Sequence, residues 1–424
     1  MVKIILLILF YFTFPLFIIY ICKRWSLLRK LGTIVLAYGF GLLLGSAGIF
    51  PEGSTQYKLA LQGKTALPGK EIEKLISDGV IPEEDRFVNS VATVQDIIPS
   101  VVIPLAFPLL LFSMNVKRWL KYARKGFISV VLALVAGVVM VTAGFFIWKD
   151  SIPESWKLAG MFEGIYTGGT PNFVALKLAL NVDPNLFMIV NTYDMIVGAG
   201  LVLFFITVAP RIFRAILPKF IEEKGTEVDE AAITREIENL EDYSGMFKKE
   251  TFLPLLKAIG LAVIIFALAG GLSLALPMFP QMVVVILSIT TLAILASLIK
   301  YINQIEKTFQ FGMYLILVFS LTIATQANLK TMFNIGMLNL IMFITWCYFG
   351  SLILHLILAK IFRIDADNFL ITAAAFIFSP PFVPLIANSL KNRDVIVTGI
   401  TGGIIGYILG NYFGVVLAYA LKGF

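Results

Sequence analysis

The chain has 424 residues, of which 58% are hydrophobic and 14% charged, with a net charge of +7 and a single histidine. This balance excludes an ordinary soluble protein. Apolar runs of bilayer length recur from end to end and nothing reads as a barrel, so the expected class is an all-α polytopic membrane protein. Cys22 and Cys347 fall in or beside apolar runs, which implies no disulfide framework. The basic excess sits largely in short loops, where it reports topology rather than nucleic-acid binding.

In chain order, about ten full spans are predicted, near 4–22, 31–50, 97–115, 127–147, 185–209, 252–276, 281–300, 309–327, 337–361 and 395–421. The first run lacks a small-residue cleavage site, and Lys23 and Arg24 follow it rather than precede it. It therefore reads as a span with the N-terminus outside, not as a signal peptide. The polar segment 51–96 carries a predicted amphipathic helix around GKEIEKLISDGV (69–80). A second polar segment, 210–251, opens with RIFRAILPK and continues into the helix-prone VDEAAITREIENLED (228–242); it reads as a cytoplasmic linker. Neither is apolar or long enough to suggest a separate catalytic domain.

Two apolar segments, 157–181 and 369–390, are interrupted. The first contains FEGIYTGGTPNFVALKLALN (162–181), with Gly164, Gly168, Gly169 and Pro171; the second contains FSPPFVP (378–384). Glycine and proline weaken helices most. Were 157–181 to cross fully, RIFRAILPK would lie outside, against the positive-inside rule. Doubling back keeps it inside with CKRWSLLRK (22–30), NVKRWLKYARK (115–125), AKIFRID (359–365) and KNRD (391–394). Both segments are thus read as re-entrant hairpins; fully crossing, unwound helices are the alternative.

Five spans and one hairpin per half make an odd number of crossings, so a second copy must be inverted. Pro171 aligns with Pro381, LALN (178–181) with NSLK (388–391), and PLLLFSMN (108–115) with LILVFSLT (315–322). The expected organisation is a first repeat over 1–209, the linker 210–251, and an inverted repeat over 252–424. Inverted repeats with paired helix breaks characterise secondary transporters, with the site near the midplane.

KLAGMFEGIYTGGTPNFVALKLAL, PLAFPLLLFSMNVKRWLK and GGIIGYILGNYFGVVLAYAL resemble an uncharacterised bacterial membrane family, the YjcL-like family (domain of unknown function 819). The resemblance covers nearly all of the chain. It implies membership of the cation/proton antiporter and anion transporter superfamily. By that grouping it implies paired broken helices, a dimer, an elevator-type motion and a bacterial cytoplasmic-membrane location. Relatives carry Gly-Gly-Pro near the second break, where this chain has FSPPFVP.

The intramembrane polar residues supply the candidate site. Asp194 lies near the centre of its span with Asn191 three residues before it, on the same helix face. An ionisable group at this depth is expensive and is a functional candidate by default. A carboxylate beside an amide oxygen suits Na⁺ or a transported proton. A structural role as partner of Lys177 or of hairpin amides is the alternative. Glu163 is a second candidate for cation or proton binding, with pairing to Lys177 as its structural alternative. Lys177 itself reads as a hairpin-base lysine reaching for the surface.

Thr167, Gly168, Gly169, Thr170, Pro171 and Asn172 form the first expected tip; Ser379, Pro380 and Pro381 form the second, with Asn388 two turns beyond. A helix restarting after such a break points N–H groups and a positive dipole end at the cavity, which favours a carboxylate-bearing solute. Helix termination alone is the alternative, and Asn172 doubles as an N-cap. Thr322, Thr325 and Gln326 either line a pathway or bond between helices. His355 reads as structural.

Enzymatic motifs fail. LQGKTAL (61–67) has Lys58 where a phosphate loop needs its first glycine. No G-x-G-D accompanies Tyr193-Asp194, no HExxH is present, and one histidine supports no nucleophile pair. The expected function is a secondary active transporter for a small anionic or zwitterionic organic solute, coupled to Na⁺ or H⁺, without cofactor or nucleic acid. A cation/proton antiporter without organic substrate is the alternative; a non-transporting sensor or assembly factor is a third reading.

Overall fold

The computed structural model describes residues 2–25, 28, 32–61, 65–114, 126–220, 242–246, 248–326, 338–378, 380–392 and 394–424. The basic stretch 115–125, most of the helix-prone 228–242, the segment 327–336 and Ser379 lie outside the described residues.

The described residues form helices α1 (Val2–Arg24), α2 (Thr33–Ser46), α3 (Thr55–Ala60), α4 (Gly69–Ser77), α5 (Asp85–Phe112), α6 (Phe127–Trp148), α7 (Ser155–Ala179), α8 (Pro184–Thr207) and α9 (Ala209–Ile216). They continue with α10 (Lys249–Ala275), α11 (Gln281–Ser297), α12 (Lys300–Asn303), α13 (Thr308–Ala324), α14 (Leu338–Ile361), α15 (Ala366–Phe378), a 3₁₀ turn (Pro380–Phe382), α16 (Val383–Leu390) and α17 (Ile396–Leu421). Seven are long and apolar enough to cross a membrane: α1, α5, α6, α8, α10, α14 and α17. Three further predicted spans are shorter apolar helices, α2, α11 and α13.

α5 starts at Asp85, well inside the stretch read from sequence as a polar loop. Its early turns are polar because they hold the preceding segment. Asp85 accepts the Ser54 amide at 3.0 Å and the Ser54 hydroxyl at 2.6 Å. Asn89 accepts from the Leu67 amide at 2.7 Å, donates to the Leu67 carbonyl at 3.0 Å, and accepts the Tyr57 hydroxyl at 2.8 Å. Tyr57, Leu67, Ile72 and Ile81 form a small core over this anchor.

The chain divides into two compact units, 1–106 with 183–191 and 313–335, and 107–182 with 192–312 and 336–424. Within the first, Gln95 donates to Tyr11 Oη at 2.8 Å and to Thr325 Oγ1 at 3.1 Å, and the two hydroxyls meet at 2.7 Å. Thr325 therefore serves interhelical bonding between α1, α5 and the end of α13.

The second unit contains both interrupted segments. In α7, Gly169 has φ 67° and ψ −161°, a backbone state that only glycine adopts cheaply. The chain doubles back there. Phe162 and Phe173 rings lie 6.1 Å apart, where a straight helix would separate them by about 16 Å. Lys157 Nζ reaches the Asn181 carbonyl at 2.8 Å, against about 36 Å for a straight helix. The second segment folds likewise: Asn392 Nδ2 donates to Asp367 Oδ2 at 2.9 Å, bringing the start of α15 to the end of α16.

α17 runs past both. At its N-terminal end Gly399 faces Ile371 and Val383 of the second folded segment, and Gly403 faces Pro380 at its turn. Further along, Gly406 meets the Thr167 carbonyl, Gly410 meets Thr167 and Asn172, and Gly414 meets Gly160 and Leu176. Trp156, at the base of the first segment, packs against Tyr419 with ring centroids 5.6 Å apart and the planes tilted by 59°. The two folded segments thus lie along α17 from opposite ends, and their turns come closest near Gly403 and Gly406.

A Cβ added at Gly406 would sit 1.6 Å from the Thr167 carbonyl oxygen, with no flexible neighbour to yield. Gly406→Ala is expected to destabilise the protein by about 3 kcal/mol or more, the upper range for overpacking. Gly198→Ala, where nothing lies within 4 Å, should leave thermal melting unchanged or slightly raised. Equal melting of the two variants would refute the close approach. A second test uses Tyr57, whose hydroxyl burial and the nearby Asp85 charge push from 10.0 up to about 12. Because the folded value is raised, its stabilisation is complete below pH 10 and is lost as pH rises through 12. Proteolytic cutting in 51–83 should increase over that window, and less so in Tyr57→Phe.

Candidate functional site

The first turn is enclosed except at Thr170. Thr167, Gly168, Gly169, Pro171 and Asn172 are buried and Thr170 is half-buried. Asn172 does not cap the arm that follows the break through a recorded side-chain bond to it. Its Nδ2 donates instead to the Gly406 carbonyl at 3.1 Å, while its Oδ1 is buried without a hydrogen-bond partner. Thr167 bonds back to the Glu163 and Gly164 carbonyls, which shields the last turn before the break. In the second turn Pro380 is buried against Gly403, Pro381 lies in the 3₁₀ turn, and Asn388 is exposed on α16. Tyr166 and Phe376 stack across the two turns at 6.3 Å and 18°.

The two carboxylates singled out from the sequence, Asp194 and Glu163, lie in this unit in different environments. Asp194, half-buried on α8, accepts a short hydrogen bond from the Tyr348 hydroxyl of α14. Asn191, one turn earlier on α8, is buried. Glu163 is wholly buried on the first arm, and neither of its oxygens has a hydrogen-bond partner. The sequence-level alternative of a Glu163–Lys177 pair is therefore not formed, and Lys177 is itself 6% exposed rather than directed at the surface. Phe162, next to Glu163, packs edge-on against Phe343 at 5.4 Å and Tyr348 at 6.3 Å. The faces carrying both carboxylates are thus built around α14.

His355 is buried, 3.4 Å from Ser129 Oγ through Nε2, and packs on Phe369 of α15 at 4.6 Å. Among the described residues no three His, Cys, Asp or Glu side chains group as a metal site.

Each folded segment is closed at its base by one cation. Lys157 bonds Glu154 at 2.6 Å, just before the first arm, and the Asn181 carbonyl at 2.8 Å, just after the second. Arg214 of α9 grips Asp367 through two bonds of 2.7 and 2.8 Å, on the first arm of its segment, and donates to the Leu390 carbonyl at 2.7 Å on the second. In both, the cation sits at the negative end of the returning arm. Both returning arms end in a left-handed residue, Asn181 at φ 48° and Lys391 at φ 53°. Amides 182 and 392 bond back to carbonyls 177 and 387. The sequence alignment of LALN with NSLK therefore corresponds to identical caps. Sequence reasoning missed Arg214, Asp367 and Tyr348. Arg214 was visible only as topological charge, and Tyr348 carried no local signal.

The profile of the protein family described as "Protein of unknown function (DUF819)" matches residues 84–424. The chain is also similar to the "Uncharacterized membrane protein YjcL" of Bacillus subtilis (strain 168), 25% identical over 395 residues, covering 89% of this chain and 94% of that protein.

Arg214→Ala leaves Asp367, 5% exposed, without its cation and frees the returning arm. Because Arg214 is itself 43% exposed, the expected loss is modest, about 1–3 kcal/mol. Arg214→Lys should recover less than half, since an ammonium cannot make the two-pronged contact. Thermal melting of the two variants checks this; full recovery by lysine would show that charge alone suffices.

Proposed function

The chain belongs to the DUF819 family, and we propose that it is a secondary active transporter working by alternating access. The observation that carries the reading is the pair of broken helices that lie along α17 from opposite ends with their turns close together near Gly403 and Gly406. In a bilayer such segments are two re-entrant hairpins entering from opposite faces, alongside about ten spans. Non-helical backbone at that depth persists where it is buried in protein or lines a cavity. The matching caps and base cations support an inverted-topology repeat, the arrangement that lets one chain present the same site to either side.

In this reading the hairpin turns, with Thr167 to Asn172 and Ser379 to Pro381, hold a small anionic or zwitterionic organic solute, and Asn388 faces it in a later state. Asp194 with Asn191 takes the coupling ion, Na⁺ or H⁺. The unit bearing both hairpins and Asp194 moves elevator-fashion within a homodimer in the bacterial cytoplasmic membrane, with the N-terminus outside. A second reading, cation/proton antiport without organic solute, draws on the presence of the buried Glu163 and the half-buried Asp194 in one unit. In this reading the chain is not an enzyme, and neither cofactor nor nucleic acid takes part.

Thermal melting of the purified protein against Na⁺ at several pH values, for wild type and Asp194→Asn, tests the ion site. A ligand of the folded state at 100 times its Kd adds about 2.7 kcal/mol. The expected result is a Na⁺-dependent or pH-dependent rise in wild type that Asp194→Asn abolishes. Identical responses in the two proteins would remove Asp194 from the coupling site.

A further inference from the structure

Glu163 is a buried carboxyl of the first hairpin with no hydrogen-bond partner among the described residues. Both of its oxygens are enclosed and unbonded. Oε2 faces Gly137 of α6, where an added Cβ would lie 3.2 Å from it and 2.6 Å from the Tyr166 ring. Gly137 thus provides the space the carboxyl occupies. An ionised carboxylate left in such surroundings costs several kcal/mol.

Among the described residues, the helices packed on α7 supply no counter-charge to Glu163. α6, α11 and α17 contain no Asp, Glu, Lys, Arg or His. α14 carries His355, which faces Ser129, and Lys360 in its last turn. The other titratable groups of α14 are the neutral Cys347 thiol and the Tyr348 hydroxyl, which donates to Asp194. α15 carries Asp367, tied to Arg214 and Asn392 at the base of its hairpin. On α7 itself, Lys157 is held by Glu154 and Asn181, and Lys177 makes no hydrogen bond to Glu163.

A metal ion needs several oxygen ligands around it. Here Oε2 faces a glycine and an aromatic ring, and neither carboxyl oxygen meets a hydrogen-bonding group. The species that satisfies a lone carboxyl without further ligands is a proton. We propose that Glu163 is a proton-binding site of the first hairpin. The proton is bound to a carboxyl oxygen while the arm is packed on Gly137, and it is released to water when the arm separates from α6. Resting on the transporter reading above, this makes the coupling ion a proton carried by the hairpin itself, distinct from any ion at Asp194.

The test is infrared difference spectroscopy of the full-length protein in Na⁺-free nanodiscs as pH is varied. A protonated carboxyl C=O band is expected in wild type and Asp194→Asn, lost in Glu163→Gln and shifted in frequency in Glu163→Asp. The aspartate variant keeps the test valid if the glutamine variant does not fold. A band unchanged in either Glu163 variant overturns the proposal, as does a band removed by adding Na⁺ at constant pH. In parallel, wild-type proteoliposomes containing a pH dye are offered glycine, glutamate, succinate and citrate. Solute-driven acidification with no Glu163 band would sink the proton site and keep transport. A Glu163 band without acidification by any of the four would keep the site and count against organic-solute symport.

Discussion

A helix broken in mid-span has to hide the backbone groups it leaves unpaired, and the rest of the second unit is arranged around that need. Gly169 reverses the first segment at a φ of 67°. Thr167 then covers carbonyls before the break, and Asn172 reaches across to the Gly406 carbonyl. Those contacts require α17 to approach at a distance that no side chain on it would permit. The glycines of α17 are therefore a consequence of the broken helices: the scaffold helix gives up side chains where the hairpins have given up helix.

The same economy appears at the hairpin bases. A returning arm ends with free carbonyls and a negative dipole end, and each hairpin meets that end with one cation that also grips a carboxylate near its other arm. Lys157 comes from within its own segment, whereas Arg214 comes from α9, immediately after the span that carries Asp194. The backbone bond from the Ala366 amide to the Pro218 carbonyl adds to that connection. The second hairpin is thus tied at its base to the chain leaving the Asp194 helix, and displacement of one is transmitted to the other by short, directional bonds. The cation of the first folded segment, Lys157, closes it locally.

Much of this was legible in the sequence. Helix positions followed from apolar run length, and the break at Gly168-Gly169-Thr170-Pro171 was visible because glycine and proline act locally. The alignment of LALN with NSLK was legible for the same reason: a left-handed cap depends on few residues. What was not legible depended on distant pairing. The extension of α5 back to Asp85 was hidden because its polar residues hold the 54–81 segment rather than face water. Tyr348 is an unremarkable aromatic until α14 places it on Asp194. Lys177 looked like a snorkelling base residue, yet the packing of the hairpin buries it.

The two carboxylates illustrate why burial alone does not assign a role. Asp194 retains some exposure and has a hydroxyl donor in Tyr348, so its charged form is partly compensated in this state. Glu163 has neither exposure nor donor. An anion-compatible site and an anion-intolerant site on two elements of one unit differ in what each conformational change costs. Moving the first hairpin arm away from Gly137 changes the surroundings of Glu163 from dry to wet, whereas Asp194 changes less as long as Tyr348 stays with it. A proton gradient can act on the first kind of site directly, because the difference in solvation between the two states is the difference in proton affinity. In the proposed proton site, the glycine at position 137, by making room for a bare carboxyl, counts as much as the carboxyl itself.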